Sequence, residues 1–203
     1  MKQKTRMNRG EKRPVAGREE ILSTARAIGE RQGWAGVTIR SVARELGYTS
    51  PLLYEHFRNK EDLLTQIAVK AIAQLEKDLT EKLPADSQAA LLTMAERYWR
   101  FMLEHKQLYR LMNGMDGVPI DNNTVGTSSQ SLCKVIAGAV RPLAGKSATQ
   151  ADARMLADEL WALLHGMAAL YLDRSAPFDT KRVVNSALRL VSGATITASQ
   201  TAS

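Results

Sequence analysis

A glycine between two short amphipathic segments is the feature that most constrains how this chain can fold. Thr38 is a good N-cap, and the apolar residues that follow it recur at helical spacing: Ile39, Val42, Ala43 and Leu46. Gly47 comes next and can adopt the positive φ that ends a helix and reverses the chain. Thr49 can cap a second helix with Pro51 in its first turn, where a missing N–H costs nothing. The segment therefore predicts a helix-turn-helix, whose second helix could enter a DNA major groove.

Formal charge is concentrated at the same end of the chain. Residues 1–60 hold 13 Lys and Arg against 6 Asp and Glu, whereas residues 61–203 hold 15 of each, so the first segment carries the whole net charge of +7. Neutralisation of phosphates with release of counterions supplies the sequence-independent part of DNA affinity. The distribution favours double-stranded DNA as a partner, with ordinary solubilising charge as the alternative.

Composition excludes several other classes of protein. A single cysteine, Cys133, rules out an internal disulfide and fits a reducing compartment. No apolar run approaches the ~20 residues needed to span a bilayer, and the basic start lacks the apolar segment of a secretory signal. We therefore expect a cytoplasmic protein. The three histidines show no metal-ligand spacing, and no catalytic triad, phosphate loop or carboxylate pair is evident, so we expect no metal, no cofactor and no enzyme activity.

The order of patterns along the chain predicts an all-α architecture, because no stretch between residues 17 and 194 alternates with period two. Asn59 should cap a continuous helix to about Lys82, which joins an N-terminal three-helix DNA-binding domain to a helical C-terminal ligand-binding and dimerisation domain. Four segments are expected: a disordered basic arm (1–16), the helix-turn-helix domain (17–62), the C-terminal domain (63–194) and a frayed tail (195–203). Further helices are predicted at 87–104, 105–113, 125–143, 149–174 and 178–194, with a loop at 114–123. The arm either reaches a minor groove or is a solvated tail.

Two groups of residues resemble a known family. The first matches the DNA reader of TetR-like bacterial transcription regulators and comprises Gly47, Thr49, Leu53, Tyr54, His56, Phe57, Asn59, Lys60, Leu63 and Leu64. The second, LYRLM at 108–112 and ELWALLHGMAALYL at 159–172, resembles the C-terminal WHG subgroup, whose three letters fall at Trp161, His165 and Gly166. The resemblance implies a homodimer on a palindromic operator and a C-terminal cavity whose small-molecule effector releases the DNA.

The candidate DNA-binding residues follow from the motif and from this resemblance. They are Arg40, Thr49, Ser50, Pro51, Leu52, Tyr54, His56 and Lys60. The first turn of the second helix, 49–52, is where base edges are usually reached, and Leu52 could pack only on an apolar group such as a thymine methyl. Many relatives carry a small residue at that position, so the operator sequences that they bind cannot be assigned to this protein. Tyr54, His56 and Lys60 resemble the family's phosphate-contacting positions, and Arg40 is a further candidate; for His56 the alternative is a surface histidine.

Aromatic residues and methionines of the C-terminal half suit a dry, adaptable cavity for an apolar or amphipathic effector. The candidate lining is Trp99, Met102, His105, Tyr109, Met112, Trp161, Leu164, His165 and Met167, and the alternative for each is a place in the core. The two histidines could give the ligand polar handles. Small or apolar stripes on the last two helices are candidate dimer contacts: Ala162, Gly166, Ala169, Val183, Val184, Ala187, Leu188 and Val191.

The leading functional hypothesis is a ligand-responsive regulator, most readily a repressor. The alternative is a ligand-independent activator or architectural protein with the same DNA reader. A filled C-terminal core without a cavity would favour that alternative.

Overall fold

A computed structural model describes residues 17–145, 148–174 and 179–200. Over these residues the chain is helical and contains no strand, which confirms the all-α prediction. The helices are α1 (Arg18–Gln32), α2 (Ile39–Leu46), α3 (Ser50–Tyr54), α4 (Lys60–Thr80), α5 (Ser87–Glu104), α6 (Lys106–Met112), α7 (Asn122–Val140), α8 (Gln150–Arg174) and α9 (Thr180–Gln200). Short 3-10 helices cover Trp34–Gly36 and Arg141–Leu143. The predicted basic arm lies outside the described residues.

The helix-turn-helix forms for the local reasons that its sequence suggests. Thr38 and Ser41 make a capping box, in which each hydroxyl accepts a hydrogen bond from the other residue's backbone N–H, at 2.9 and 2.8 Å. Gly47 ends α2 in the left-handed region with φ 70°. Thr49 occupies the N-cap of α3, but its side chain makes no capping hydrogen bond, so that detail of the prediction is wrong.

The long helix α4 belongs to both halves of the protein. The Asn59 side chain caps it by accepting from the backbone N–H of Asp62 at 2.8 Å, as predicted. It packs against α1 of the helix-turn-helix domain (α1–α3, called the reader below) and against α5, α6 and α7 of the C-terminal half. Buried side chains from Ile21 in α1 to Val191 in α9 form one continuous cluster. The predicted boundary between residues 62 and 63 therefore lies within a shared core.

Several predicted helix ends are displaced. The helix α4 stops at Thr80 rather than Lys82, because Lys82 has φ 46° and Leu83 precedes a proline, which disfavours helical backbone. The helix α7 begins three residues early, since Asp121 caps it by accepting from the backbone N–H groups of Asn123 and Thr124. The predicted frayed tail is helical to Gln200, because no proline follows and an isolated glycine costs a helix only about 1 kcal/mol.

Among the described residues, no helix combines the length and the apolar character that a bilayer crossing requires.

Candidate DNA-binding surface and C-terminal cavity

The first turn of α3 projects from the reader on a buried base. Leu53 and Phe57 are almost fully buried, which fixes the helix against the domain. Thr49, Pro51 and Tyr54 are exposed, with Tyr54 at 55%, and Ser50 and Leu52 are partly exposed. The predicted base-reading residues are thus accessible on one short helix, the arrangement that a groove-reading helix needs.

The four candidate phosphate-contacting residues differ in their surroundings. Arg40 is exposed on the first turn of α2, with Tyr54 exposed on α3. Lys60 is half-buried; its ammonium donates to the carbonyl oxygen of Ala35 at 2.9 Å, and burial lowers its pKa. His56 is also half-buried, and its Nε2 is inaccessible and has no hydrogen-bond partner among the described residues. Arg40 and Tyr54 are therefore the freest of these groups to meet a phosphate.

The indole of Trp34 joins the reader to the C-terminal half. It is 1% exposed, and its Nε1–H donates to the carbonyl oxygen of Gln107 in α6 at 2.7 Å. The ring lies so close to α1 that a Cβ added to Gly29 would be 2.2 Å from it. Sequence reasoning missed Gly29, whose only signal is a glycine inside a helical pattern.

A second hydrogen bond lies in the C-terminal half, close to the DNA-binding helices. Thr65 in α4 is 3% exposed, and its hydroxyl accepts from the backbone N–H of Asp121, the N-cap of α7, at 2.9 Å. The Asp121 carboxylate accepts hydrogen bonds from the hydroxyl and backbone N–H of Thr124, which lower its pKa. The start of α7 is thereby held to α4 just after the reader.

The C-terminal half contains a small apolar cavity between α4, α5, α7 and α8. Its volume is about 20 Å³, which is room for roughly one water molecule. The lining consists of Leu79, Leu91, Met94, Ala95, Tyr98, Ile136, Leu160, Trp161 and Leu164. Of the predicted lining residues, Trp161 and Leu164 are in place, whereas Trp99, Met102, Met112 and Met167 are buried in the surrounding core. Sequence reasoning missed Met94 and Tyr98.

Three polar groups form a hydrogen-bonded chain beside this cavity. The hydroxyl oxygens of Tyr98 and Tyr109 are 2.6 Å apart, and the Tyr109 oxygen is 2.6 Å from Nδ1 of His165. Burial raises the pKa of Tyr109 to about 12 and that of Tyr98 well above its usual value, while burial lowers the pKa of His165. At neutral pH both tyrosines are therefore protonated and the imidazole is uncharged.

Donor and acceptor roles in the chain follow from these states. If Tyr98 donates to Tyr109 and Tyr109 donates to Nδ1 of His165, both hydroxyl hydrogens are used. In the reverse direction, the Tyr98 hydrogen has no acceptor among the described residues. The favoured tautomer thus carries the His165 proton on Nε2. The ring of Trp161 stacks on this imidazole, with centroids 6.3 Å apart and planes 5° from parallel.

His105 lies apart from the cavity, which corrects its prediction as a lining residue. It sits at the end of α5, where its Nδ1 is 3.9 Å from a carboxylate oxygen of Glu30 and its ring packs edge-on against Phe101. It borders an open polar cleft between α4 and α5, together with Gln74, Asp78, Glu81, Arg97, Arg100 and Glu104. The residue follows directly after α5, and its side chain is 26% exposed.

The candidate dimer residues fall into two groups. Val183, Ala187 and Val191 are buried inside the single chain, where α9 packs against α5 and α8, so they are unavailable to a partner and their prediction is corrected. Periodicity identified these positions of α9, with Val184 and Leu188, as one apolar stripe but could not say which of them face inward. Val184 and Leu188 are partly exposed.

The corresponding face of α8 is apolar and accessible. Ala162 is exposed and Gly166 and Ala169 are partly exposed, while Met155 and Leu170 on the same helix are 59% and 44% exposed. Small residues at these spacings allow another helix to approach closely. No cluster of three or more His, Cys, Asp or Glu suitable for a metal ion occurs in the part of the chain that the structure describes.

An accessible recognition helix on an all-helical body defines a helix-turn-helix transcriptional regulator. Residues 21–67 match the model of the tetR family of bacterial regulatory proteins, and residues 91–191 match that of a tetracyclin repressor-like C-terminal domain. The chain belongs to the TetR family. Its members are transcriptional regulators and not enzymes, as the sequence predicted.

Individual proteins give the same result. The chain is 29% identical over 154 residues to the HTH-type transcriptional regulator Rv0681 of Mycobacterium tuberculosis, covering 75% of this chain and 69% of the relative. It is 24% identical over 205 residues to the HTH-type transcriptional activator FasR of Mycolicibacterium smegmatis, covering 93% of each chain. The fold resembles that of the fatty acid degradation regulator FadR from Bacillus halodurans, with a TM-score of 0.70 at 13% identity over 91% of this chain and 98% of that one.

Proposed function

We propose that this protein is a ligand-responsive transcriptional repressor that binds a palindromic operator as a homodimer and is released by a small apolar or amphipathic effector. The observation that carries the proposal is the position of α6. On this helix of seven residues, the Tyr109 side chain belongs to the hydrogen-bonded chain beside the cavity, while the carbonyl of Gln107 accepts from Trp34 of the reader. Gln107 and Tyr109 are two positions apart, so a ligand that moves Tyr109 and α6 would also move the carbonyl that binds Trp34 of the reader.

The homodimer follows from the needs of DNA reading and from the exposed apolar face of α8 and α9. One recognition helix of five residues offers few base contacts, so a second copy is required for tight binding. A twofold dimer places two such helices about 34–36 Å apart, one turn of DNA, and so reads a palindrome. Ala162, Gly166, Ala169, Val184 and Leu188 supply the contact face in this proposal.

Release requires the effector to favour a reader spacing that does not fit adjacent grooves. Complete reversal of a population from bound to free needs a preference of about 5.5 kcal/mol for the released state. The hydrogen bond of Trp34 joins α6 directly to the DNA-binding helices, and the hydrogen bond of Thr65 ties the start of α7 to the first turns of α4. Through these two bonds a change in the C-terminal half would alter the position of the DNA-binding helices.

The class of effector is supported by the chemistry of the lining. The cavity is walled by aliphatic and aromatic side chains, among them Tyr98, whose hydroxyl is hydrogen-bonded to that of Tyr109. The structural neighbour FadR is named as a regulator of fatty acid degradation, which agrees with an apolar or amphipathic molecule. We also propose that the C-terminal domain belongs to the WHG subgroup, because Trp161 stacks on His165 and Gly166 follows directly.

The test begins with selection of bound sequences from random DNA. Anisotropy titrations of the selected operator, at fixed salt, should give tight binding that 1-decanol or a similar amphiphile weakens. Trp34→Phe retains a ring and removes the donor to Gln107, so this variant should bind the operator but respond less to the amphiphile. A promoter bearing the operator should be silenced by the protein in a reporter assay. Operator occupancy that no amphiphile changes would refute ligand response.

One observation favours a second candidate function, the ligand-independent activator or architectural protein. The cavity holds about one water molecule, far less than the ~300 Å³ of a typical ligand pocket. If this volume is all that the protein offers, no effector can enter. Activation rather than silencing of the reporter, unchanged by amphiphiles, would support this candidate.

A further inference from the structure

Met94 borders two apolar spaces. One is the small cavity, and the other is an open groove of about 270 Å³ at the surface. Met94 lines both, and it is only 4% exposed. One residue with a flexible side chain is therefore shared by a cavity that is too small for a ligand and a groove that reaches solvent.

The groove has the chemistry of an extension of the cavity. One wall is a face of α7 and the following turn, where Val135, Gly138, Ala139 and Pro142 recur at spacings of three, four and seven residues. The opposite wall is the connection between α4 and α5, including Leu83 and Pro84. No charged side chain occurs among the groove residues that the structure describes.

The two spaces lie along one helix. Ala90 borders the groove, Met94 lines both spaces and Tyr98 lines the cavity, so the three follow each other at four-residue intervals on α5. At a rise of 1.5 Å per residue, the backbone from Ala90 to Tyr98 spans about 12 Å along the helix axis. A path of this length suits an extended chain rather than a compact ring system.

The inner end of the path offers hydrogen bonds but no charge. Tyr98 is protonated and bonded to Tyr109, and His165 beyond it is uncharged. The residues of the cavity wall include no Lys, Arg, Asp or Glu. Because an unpaired ion is costly to bury, the head group of a ligand here should be uncharged, such as an alcohol or an ester.

We propose that the groove between α5, α7 and the α4–α5 connection is the portal and tail subsite for an elongated uncharged amphiphile, and that Met94 is its gate. This inference rests on the proposed ligand response, for which it names the ligand class and the route. The unbranched thioether side chain of methionine has three rotatable bonds and can swing aside with little strain. The ligand's head then reaches Tyr98, and its tail fills the groove.

Gly138 provides a test at the portal. A Cβ built on it meets nothing within 4 Å, so Gly138→Trp can obstruct the groove without disturbing the core, and Gly138→Ala is the matched control. Binding is measured by the fluorescence of N-phenyl-1-naphthylamine, an uncharged apolar probe, displaced by 1-decanol or by 1-hexanol. Each buried methylene contributes roughly fourfold to affinity, so Gly138→Trp should weaken decanol binding about tenfold or more and hexanol binding much less. Gly138→Ala should leave both within about twofold.

Met94 provides a test of the gate. Met94→Ala should speed association of the probe in stopped-flow mixing, whereas Met94→Leu, of similar volume, should resemble the wild type. Thermal unfolding checks that each variant is folded. An association rate in Met94→Ala equal to that of the wild type would overturn the role of Met94.

The outcomes separate this inference from the proposed function. Equal decanol affinity in the wild type and Gly138→Trp overturns the portal, even if decanol still releases the operator. Chain-length-dependent binding that Gly138→Trp abolishes supports the portal, even if operator binding is unaffected, in which case ligand response is refuted. Absence of saturable binding by the probe and both alcohols overturns the inference outright.

Discussion

The indole of Trp34 occupies the position where any side chain on Gly29 would stand. An added Cβ would lie 2.2, 2.3 and 2.7 Å from three carbons of the ring, all closer than real contacts allow. The missing side chain lets the indole reach past α1 and donate to Gln107 in α6. A glycine in the first helix thereby sets the position of a hydrogen bond between the reader and the body.

Gly29→Ala should destabilise the protein. The clash with a buried ring costs about 1–3 kcal/mol, which exceeds the gain of at most about 1 kcal/mol from better helix propensity. The matched control is Gly126→Ala in α7, where an added Cβ meets nothing within 4 Å and the same substitution should stabilise. Urea unfolding followed by circular dichroism measures both. Stabilisation of both variants would show that the Trp34 ring can move away from an added Cβ at little energetic cost.

Arg40 and Lys60 should affect DNA binding differently. Arg40 is exposed, so Arg40→Ala should lower the slope of log affinity against log salt by about 0.9, the loss of one phosphate contact. The Lys60 ammonium is bonded to Ala35, so Lys60→Gln should reduce the unfolding free energy by about 1 kcal/mol and change the slope less. Lys77→Ala, on the exposed side of α4, is the control with no expected change. A larger slope change for Lys60→Gln than for Arg40→Ala would reverse the assignment.

Protonation of His165 should weaken the fold in mild acid. Burial lowers the pKa of His165 in the folded state, so the unfolded state binds the proton more readily. The resulting stabilisation is present above the unfolded pKa of about 6.5 and is lost as pH falls through that value toward the folded pKa. His165→Gln does not titrate and should therefore lose less stability than the wild type between pH 7.5 and 5.5.

The carboxylates with lowered pKa, Asp121 and Asp152, do not obscure this comparison. Their contribution is lost only near and below the ordinary pKa of about 3.9, and it is common to both proteins. Urea titrations at the two pH values give the difference. Equal losses of unfolding free energy in the wild type and His165→Gln would show that groups other than His165 cause the acid sensitivity.

Ala162→Arg should separate the proposed dimer without unfolding the subunit. Ala162 is exposed on α8, so a long charged side chain can be accommodated in the monomer but not where two helices meet closely. Sedimentation velocity should show a monomer, and operator affinity should fall together with dimerisation. Ala73→Arg, at an exposed position of α4, is the control. A persistent Ala162→Arg dimer would move the interface to another face.

Local structure was predictable to a large extent because its causes are local. The capping box at Thr38, the left-handed Gly47 and the cap at Asn59 each depend on residues within a few positions of one another. The burial of Ile39, Val42 and Ala43 agrees with their helical spacing. The helix-turn-helix and the all-α fold were therefore legible in the sequence.

The site in the C-terminal half was less predictable because it depends on distant pairs. Tyr109 and His165 are 56 positions apart, and nothing in periodicity shows that their side chains meet. The same limit applies to Met94, which an amphipathic pattern marks only as apolar. On α9, spacing identified the apolar positions Val183 and Val184 without revealing that Val183 faces α5 or α8 within the same chain.

The helix α4 and the continuous apolar cluster around it limit how the DNA-binding helices can be exchanged between members of this family. A chimaera that grafts residues 17–59 onto another family member would place Trp34 against a foreign α6 and Ala35 against a foreign residue at position 60, and the signal could be lost while both halves still fold. Transplanting the DNA-binding helices with their specificity intact therefore requires carrying α6 and the start of α4 along with them.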